Sequence, residues 1–558
     1  MKTYQIELTS KEKPKNAKEI IHILLANRGL KTEDEVQIFF SPRDPLDYKV
    51  EEVGIEANEF ERALRRIKKA ISQKEKMIVY GDYDADGVCA TAILWETIYS
   101  LGGNVLPYIP NRLAEGYGLN EESIAKLKRE DPQLKLIITV DHGIVGHQKI
   151  DFAQELGVEV IVSDHHQPGG TIPKALAVIH TTLLSGSGVA WMLARELASD
   201  NNFSKKLLEL VALGTIADLI PLTGVNRSLT KEGIEQIKQT ERVGLKCLME
   251  VARIDQSKVG TYEVGYMLTP RLNAMGRMEQ AISSLRLLCT RDENKARELA
   301  LELDRTNRER QLLTEETTLH ARQLLLTKLT EKRKAIIFLA HESYQQGVIG
   351  LVAGRLAEEY YQPTIVISRG ERYSKASARS IQGFNIIETI REAENMLVDV
   401  GGHPMAAGFT VETAKLGLLE EKLQELALSK LGLTIASRTL RVDVEVELSQ
   451  IDTELVSQIE KFRPFGQGNS EPLFASFGLK VVDTRVVGVD GKHLKLVLSD
   501  KNSTQRLDAI GFGMGEYYKE LSPGCLVDVA YNVTRETWNG TEKLQLRLRD
   551  LKLCSQKS

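Results

Sequence analysis

The heptapeptide Gly81-Asp82-Tyr83-Asp84-Ala85-Asp86-Gly87 sets three carboxylates within five residues. Like charges this close resist joint ionisation unless cations sit among them. A solvated polar turn is the plain alternative. A calcium-binding EF-hand loop, which also opens D-x-D-x-D-G, is a sharper one, but it needs glutamate at its twelfth position. Counted from Asp82, that position is Ile93, which excludes it. Three further motifs follow: Val140-Asp141-His142-Gly143, Ser163-Asp164-His165-His166 and Gly214-Thr215-Ile216-Ala217-Asp218. Each is ambiguous alone, since a strand-end Asp is often a helix N-cap and Asp218 before Leu-Ile-Pro suits a turn. Carboxylates with one or two imidazoles suit Mn²⁺ or Mg²⁺ better than zinc, whose structural sites favour thiolates. Two such ions about 3.5–4 Å apart activate water and steady the leaving oxygen of a phosphoester. Asp82, Asp84, Asp86, Asp141, His165 and Asp218 therefore point to metal-dependent phosphoester hydrolysis.

These residues need a frame. Short apolar runs at 77–80, 136–140, 158–162 and 175–179 are predicted as buried strands, with helices at 88–101, 121–128 and 148–156 between them. Gly102 and Gly157 fit as helix stops. Strands alternating with helices imply a parallel, doubly wound sheet. In such sheets ligands bind beyond the carboxyl ends of the strands, so the first three motifs converge on one crevice. Before the sheet lie a small helical entry segment (17–27 and 33–40) and a helix at 63–73 with Leu64, Ile67 and Ile71 as its apolar stripe. After it comes a mostly helical region, ending in a charged stretch at 293–325 without Gly or Pro, which reads as a rigid connector. A second α/β region has strands at 335–340 and 363–368 around a helix at 348–359. From about 456, short strands (479–482, 494–498, 526–533, 544–548) separated by Gly, Asn and Asp indicate a small β-barrel or sandwich. The expected division is 1–54, 55–225, 226–330, 331–440 and 456–555.

Length and composition set bounds. The 558 residues allow roughly three or four domains. With 42% hydrophobic and 27% charged residues, the chain has material for more than one core. No apolar run approaches the roughly 20 residues of a membrane span, and 1–16 carries no signal-peptide core, so the expected location is cytoplasmic. The five cysteines are scattered and form no CxxC, which removes zinc-ribbon and redox readings. A net charge of −4 does not advertise a nucleic-acid partner, but the field that matters is local. Residues 456–558 carry 15 Lys and Arg against 12 Asp and Glu.

The D-x-D-x-D-G, D-H-G, D-H-H and G-T-I-A-D motifs, in this order, resemble the DHH phosphoesterase superfamily, and within it the RecJ exonuclease family. The likeness runs from Leu24-Leu25-Ala26-Asn27-Arg28-Gly29 to the terminal β region. It implies a parallel-sheet DHH domain, a DHH-associated α/β domain joined by a long helix, and a C-terminal OB-fold barrel. By the same resemblance Asp82, Asp84 and Asp141 hold one Mn²⁺ or Mg²⁺. Asp86, Asp141, His165 and Asp218 hold a second, with Asp141 bridging. His166 faces the phosphate or the attacking water, and Asp164 orients an imidazole.

Gly401-Gly402-His403-Pro404-Met405-Ala406-Ala407-Gly408 resembles the glycine-rich motif of the DHH-associated domain, where His403 contacts the scissile group; a tight turn is the structural alternative. Ser377-Ala378-Arg379-Ser380 resembles the phosphate-binding element, with Arg379 as a bidentate clamp and Ser377 adding a hydroxyl. Arg112 is a further 5′-phosphate candidate. In Thr269-Pro270-Arg271-Leu272-Asn273-Ala274-Met275-Gly276-Arg277, Arg271, Asn273 and Arg277 either touch the DNA backbone or tie the helical region to the catalytic domains. Arg463-Pro464-Phe465-Gly466-Gln467-Gly468-Asn469 resembles the start of the RecJ OB-fold, in which Tyr531, Arg535 and Trp538 are candidate strand contacts. Two stretches depart from the family pattern: Tyr344-Gln345 replaces a common Trp-His, and His180-Thr181 a common Asn-Pro.

The function so implied is a single-stranded-DNA-specific 5′ to 3′ exonuclease in DNA repair and recombination. Expected partners are single-stranded DNA, a single-strand-binding protein and a helicase, with a monomeric chain and no membrane. Two other readings stand beside it. An oligoribonuclease or nucleotide phosphatase of the same superfamily resembles shorter chains without the OB region. A non-catalytic replication scaffold resembles relatives with eroded metal motifs, whereas all four are intact here.

Overall fold

The computed structural model describes residues 4–112, 115–116, 118–328, 334–431, 438–500, 505–538 and 541–554. The chain divides into two compact units, one of 50–218 with 233–436, the other of 1–49, 219–232 and 437–558.

In the larger unit, five parallel strands lie in the spatial order Asn104–Tyr108, Lys76–Tyr80, Leu134–Val140, Glu159–Asp164, Ala177–His180. Chain order reverses between Lys76–Tyr80 and Leu134–Val140, and that reversal opens a crevice at the carboxyl ends of the strands. Ile78, Val79, Ile137, Ile138, Val160 and Ile161 are all buried. The inner strands thus read as continuous apolar runs rather than alternating ones, as a sheet covered on both faces requires. The edge strand Asn104–Tyr108 was not anticipated: it holds Pro107 and an exposed Leu106, both tolerated where one side needs no partner.

Helices Ala85–Ser100, Gly186–Ala198 and Leu208–Ala217 pack on one another and are buried along most of their lengths. Asp84 caps the first, accepting from the Asp86 and Gly87 amides at 3.0 Å each. It ends at Gly102, whose φ of +74° favours glycine, with amides of Gly102 and Gly103 closing on Tyr99 and Ile98.

The expected connector is one helix, Glu293–Lys328, of 36 residues, about 54 Å long. It packs against helices Thr269–Met278 and Gln346–Tyr360. A second sheet follows, ordered Leu397–His403, Ala406–Glu412, Tyr373–Arg379, Thr364–Ser368, Ile337–His341, with only the last pair parallel. Gly401-Gly402-His403 ends a strand rather than forming an αβ turn. Pro404 and Met405 make a hairpin, and a Cβ on Gly402, at φ +146°, would strike the Ala406 carbonyl.

The second unit is a closed barrel. Strands Phe474–Val487, His493–Ser499, Leu507–Gly511, Thr541–Leu553 and Leu526–Trp538 follow in order, and the last pairs back with the first. Its core admits Ile20, Leu24 and Phe39 from helices Ala17–Asn27 and Glu33–Phe40. Strand Gln5–Leu8, absent from the sequence-based reading, pairs with Thr439–Val442. Arg227, fully buried, donates to the carbonyls of Phe39, Phe462 and Arg463 at 2.7–2.9 Å and so joins all three segments of this unit. Among the described residues no helix is long and apolar enough to cross a membrane.

Candidate metal centre

The three inner strands of the parallel sheet each deliver a motif at the carboxyl end. After Lys76–Tyr80, the chain turns through Asp82 into the helix that Asp84 caps. Close approach there demands glycine at 87, where a Cβ would lie 2.6 Å from the Asp82 Cβ. After Leu134–Val140, Asp141 adopts φ +66°, a region non-glycine residues rarely occupy and aspartate tolerates best. After Glu159–Asp164 come His165 and His166. Asp218 follows the last residue of Leu208–Ala217.

The structure brings these groups together. One ligand atom from each of Asp82, Asp84 and Asp141 falls within 4.8 Å of the others. The same holds for Asp86, His165 and Asp218, and for Asp141, His165 and His166. His165 Nε2 lies 3.0 Å from Asp141, 3.7 Å from Asp218 and 3.9 Å from Asp86. All but Asp84, His166 and Asp218 are buried.

The electrostatics are those of an acid cluster in which burial and mutual repulsion outweigh the nearby cations His166 and Arg112. Burial, then Asp84, raises the Asp82 carboxyl well above its ordinary range; burial, then Asp86, raises Asp141 well above it too and raises Asp84. Asp218 is pushed up to about 8 by burial and then by Asp86. His165 is lowered, chiefly by burial, which favours the neutral imidazole a ligand needs. Asp82 Oδ1 is buried without a hydrogen-bond donor. An orphaned carboxylate oxygen among oxygen and imidazole donors fits hard divalent cations.

Asp164 and His166 differ. Asp164 Oδ1 accepts from the His166 ring at 2.8 Å and from the amides of His165 and His166, while Oδ2 accepts from the Ile144 amide. Despite burial, those bonds hold Asp164 below its ordinary range. Burial alone would lower His166, but the Asp164 bond outweighs it and the ring rises to about 9. The pair is an imidazolium–carboxylate at neutral pH. His180, one of the two departures from the family pattern, bonds the His166 carbonyl through Nε2 at 2.7 Å.

The remaining candidates occupy the second sheet and the helices before it. Ala406 pairs with His403 on one side and Arg379 on the other, and Gly408 pairs with Gly401 and Ser377. His403 and Arg379 thus share a level and a face, about 10 Å apart across two strands. The His403 side chain is exposed and makes no hydrogen bond among the described residues. Arg379 donates to Ser377 Oγ at 3.3 Å, and its pKa is lowered by burial and then by Arg112. Arg112 lies over the Tyr83 ring. Arg277 is lowered to about 10, by burial first and then by Arg112 and Arg310, with Asp84 opposing.

Arg271 is committed to Asp304 at 2.9 Å, and Asn273 Oδ1 accepts from the Ala85 amide at 2.7 Å. Asn273 therefore ties the helical region to the metal loop, whereas Arg271 joins two helices within the helical region. In the barrel, Tyr531 is core, its hydroxyl 2.7 Å from Ser476 Oγ, and Arg535 pairs with Glu542 at 2.9 Å. The Trp538 side chain lies outside the described residues.

Sequence reasoning missed the supports of Asp86. Its two oxygens accept from the Gly186 amide at 2.6 Å and the Ser187 amide at 3.0 Å, so the amino end of Gly186–Ala198 faces the carboxylate. Ser185-Gly186-Ser187-Gly188, small residues just past a strand, was the available signal. A largely buried triad was also missed. Arg242 bonds Glu96 at 2.7 Å and Glu209 at 2.6 Å, clamping the helices that carry Asp86 and precede Asp218.

Fold and site define a DHH-class enzyme. Family models agree: one described as the DHH family N-terminal domain matches 76–215, the DHHA1 domain matches 332–429, and the RecJ OB domain matches 442–550. The chain is 35% identical over 564 residues to the single-stranded-DNA-specific exonuclease RecJ of Bacillus subtilis, covering 98% of this chain and 70% of that protein. It is 31% identical to the enzyme of that name from Escherichia coli, covering 94% of each. The crystal structure of RecJ in complex with Mn²⁺ from Thermus thermophilus superposes with a TM-score of 0.81 at 29% identity, covering 98% of this chain and 79% of that one. This chain belongs to the RecJ family.

Proposed function

We propose that the chain is a single-strand-specific DNA exonuclease that hydrolyses phosphodiester bonds 5′ to 3′ with two divalent ions, Mn²⁺ or Mg²⁺, in cytoplasmic DNA repair and recombination. The observation that carries this is the pair of ligand groups, Asp82/Asp84/Asp141 and Asp86/His165/Asp218, meeting at the Asp141–His165 contact.

In this reading each group holds one ion and Asp141 serves both. The ions supply Lewis-acid activation of water and neutralise charge on the phosphoryl group. The protein's own residues do the rest. Asp164 keeps a proton on His166, whose Nε2 is then a cationic donor for a phosphoryl oxygen. Arg379, Ser377, Arg112 and Arg277 grip the terminal phosphate, and the bidentate guanidinium fork suits its oxygens. His403, on the same face as Arg379, donates to the scissile group. Single-strand-binding protein and a helicase are the protein partners this role calls for, and a monomer suffices for it.

The test is direct. With Mn²⁺, 5′-labelled single-stranded DNA should be degraded, and duplex DNA and RNA spared. Asp84→Ala/Asp141→Ala should be inactive. No nuclease activity, or equal activity in the variant, would refute the reading.

A further inference from the structure

In the larger unit, Arg66, Arg195, Arg242, Arg271, Arg308 and Arg322 each pair with a Glu or Asp. Among the described residues, Arg112, Arg277, Arg310, Arg355 and Arg379 have no carboxylate within ion-pair distance. Three of these five belong to the terminal-phosphate set above. Arg310 and Arg355 have no assigned role.

Both sit on elements packed directly against that set. Helix Gln346–Tyr360 lies on it through its glycines: a Cβ on Gly347 would strike the Arg277 carbonyl. A Cβ on Gly350 would come within 2.9 Å of Ser377 Oγ and 3.2 Å of Arg379 Nη2, and one on Gly354 within 3.9 Å of Arg379 Cγ. Arg355 is the next residue, and exposed. The connector helix is fixed to the Arg277 helix region by Arg271–Asp304 and by the Thr306 hydroxyl, 3.3 Å from Glu279. Arg310 lies one turn beyond Thr306. Its Nη2 donates to Asn307 Oδ1 at 2.9 Å, and its Nε is buried with no acceptor.

Buried donors are almost always satisfied, and one left open on a cation marks a place for an arriving acceptor. The charges feel one another as well: burial and then Arg355 lower the Arg310 pKa, and Arg310 in turn contributes to lowering Arg277. A row of mutually repelling guanidinium groups is relieved by a polyanion with regularly spaced charges.

We propose that Arg310 and Arg355 form a second phosphate subsite, holding a backbone phosphate of the bound strand beyond the one gripped by Arg112, Arg277 and Arg379. This rests on the exonuclease reading. The strand is then held at two phosphates, and the second grip is sequence-independent.

The test uses the full chain with Mn²⁺ and a 5′-phosphorylated single-stranded oligonucleotide over a range of KCl. Arg310→Gln/Arg355→Gln should raise KM several-fold, with the loss in KM rather than kcat. It should also flatten the slope of log KM against log[KCl] by about 0.7, the value for one single-strand phosphate contact. Arg310→Lys/Arg355→Lys keeps the charge and should restore most of the slope. Arg355→Gln alone, at an exposed position, should shift the slope the same way without lowering Tm. An unchanged slope in a folded Gln variant, or Lys variants as defective as Gln, would overturn the proposal. If the wild-type chain fails to degrade the oligonucleotide, it is the exonuclease reading that fails. Fluorescence anisotropy with the same oligonucleotide then gives binding slopes for the same variants, and the subsite stands or falls on those.

Discussion

Asp141 leaves its strand with a left-handed backbone and a buried carboxylate that meets His165 and lies beside Gly186. Strain of this kind persists where the surroundings over-determine it. A Cβ on Gly186 would collide with that carboxylate. Gly186→Ala is therefore expected to cost about 1–3 kcal/mol in urea unfolding, as overpacked sites do, and to weaken Mn²⁺ binding by calorimetry; wild-type affinity would remove the glycine from the site.

The acid cluster also makes stability depend on pH. Asp82, Asp84, Asp141 and Asp218 are raised in the metal-free fold, Asp218 to about 8, whereas an unfolded aspartate titrates near 3.9, about the model-peptide value. Between roughly pH 4 and 8 the folded chain holds protons the unfolded chain has released, so stability falls as pH rises through that window. In EDTA, Tm at about pH 8.5 should lie below Tm at about pH 6. Asp218→Asn should narrow the gap. Mn²⁺ should raise Tm more at the higher pH, where fewer protons must be displaced. Equal Tm values in EDTA, or a gap indifferent to Asp218→Asn, would contradict the sign.

Among elements, the decisive pair is Ala85–Ser100 and Leu208–Ala217, joined by Arg242 between Glu96 and Glu209. Removing one partner of a buried ion group leaves the others uncompensated, at about 3–5 kcal/mol. Arg242→Ala should lose that much in denaturant titration, and any folded protein should bind Mn²⁺ more weakly because Asp86 and Asp218 are no longer held together. A loss below about 1 kcal/mol would assign the triad to the surface.

Arg242 also shows where sequence reading stops. The strand-end motifs were legible because an apolar run followed by Asp is a local pattern, and a parallel sheet gathers such ends in one place. The long connector was legible from the absence of Gly and Pro. The strands Tyr373–Arg379, Leu397–His403 and Ala406–Glu412 were not: the inward positions of the first are only Ser and Ala, the second is exposed along most of its length, and the third opens in a glycine- and alanine-rich run. Partners far apart in sequence, such as Arg242 with Glu96, Gly186 with Asp86 or Asn273 with Ala85, leave no local trace at all. Neither did the fate of Tyr531, whose type suits a stacking surface and a barrel core equally until burial decides.

At the scale of the molecule, one unit is built from three separate stretches of chain. Helices Ala17–Asn27 and Glu33–Phe40 place Ile20, Leu24 and Phe39 in a core whose other side is the barrel. A chain truncated after Leu431 should therefore expose those residues, bind a hydrophobic dye and lose its first 49 residues to limited proteolysis; protection equal to the full chain would show that the entry helices stand alone. The same feature sets a clock for synthesis. The entry helices leave the ribosome about four hundred residues ahead of the barrel strands that cover them, a wait of roughly 20–80 s at ordinary elongation rates. For that interval the amino end is a ready client for chaperones, and Arg227, made midway, still lacks the Phe462 and Arg463 carbonyls it will bond.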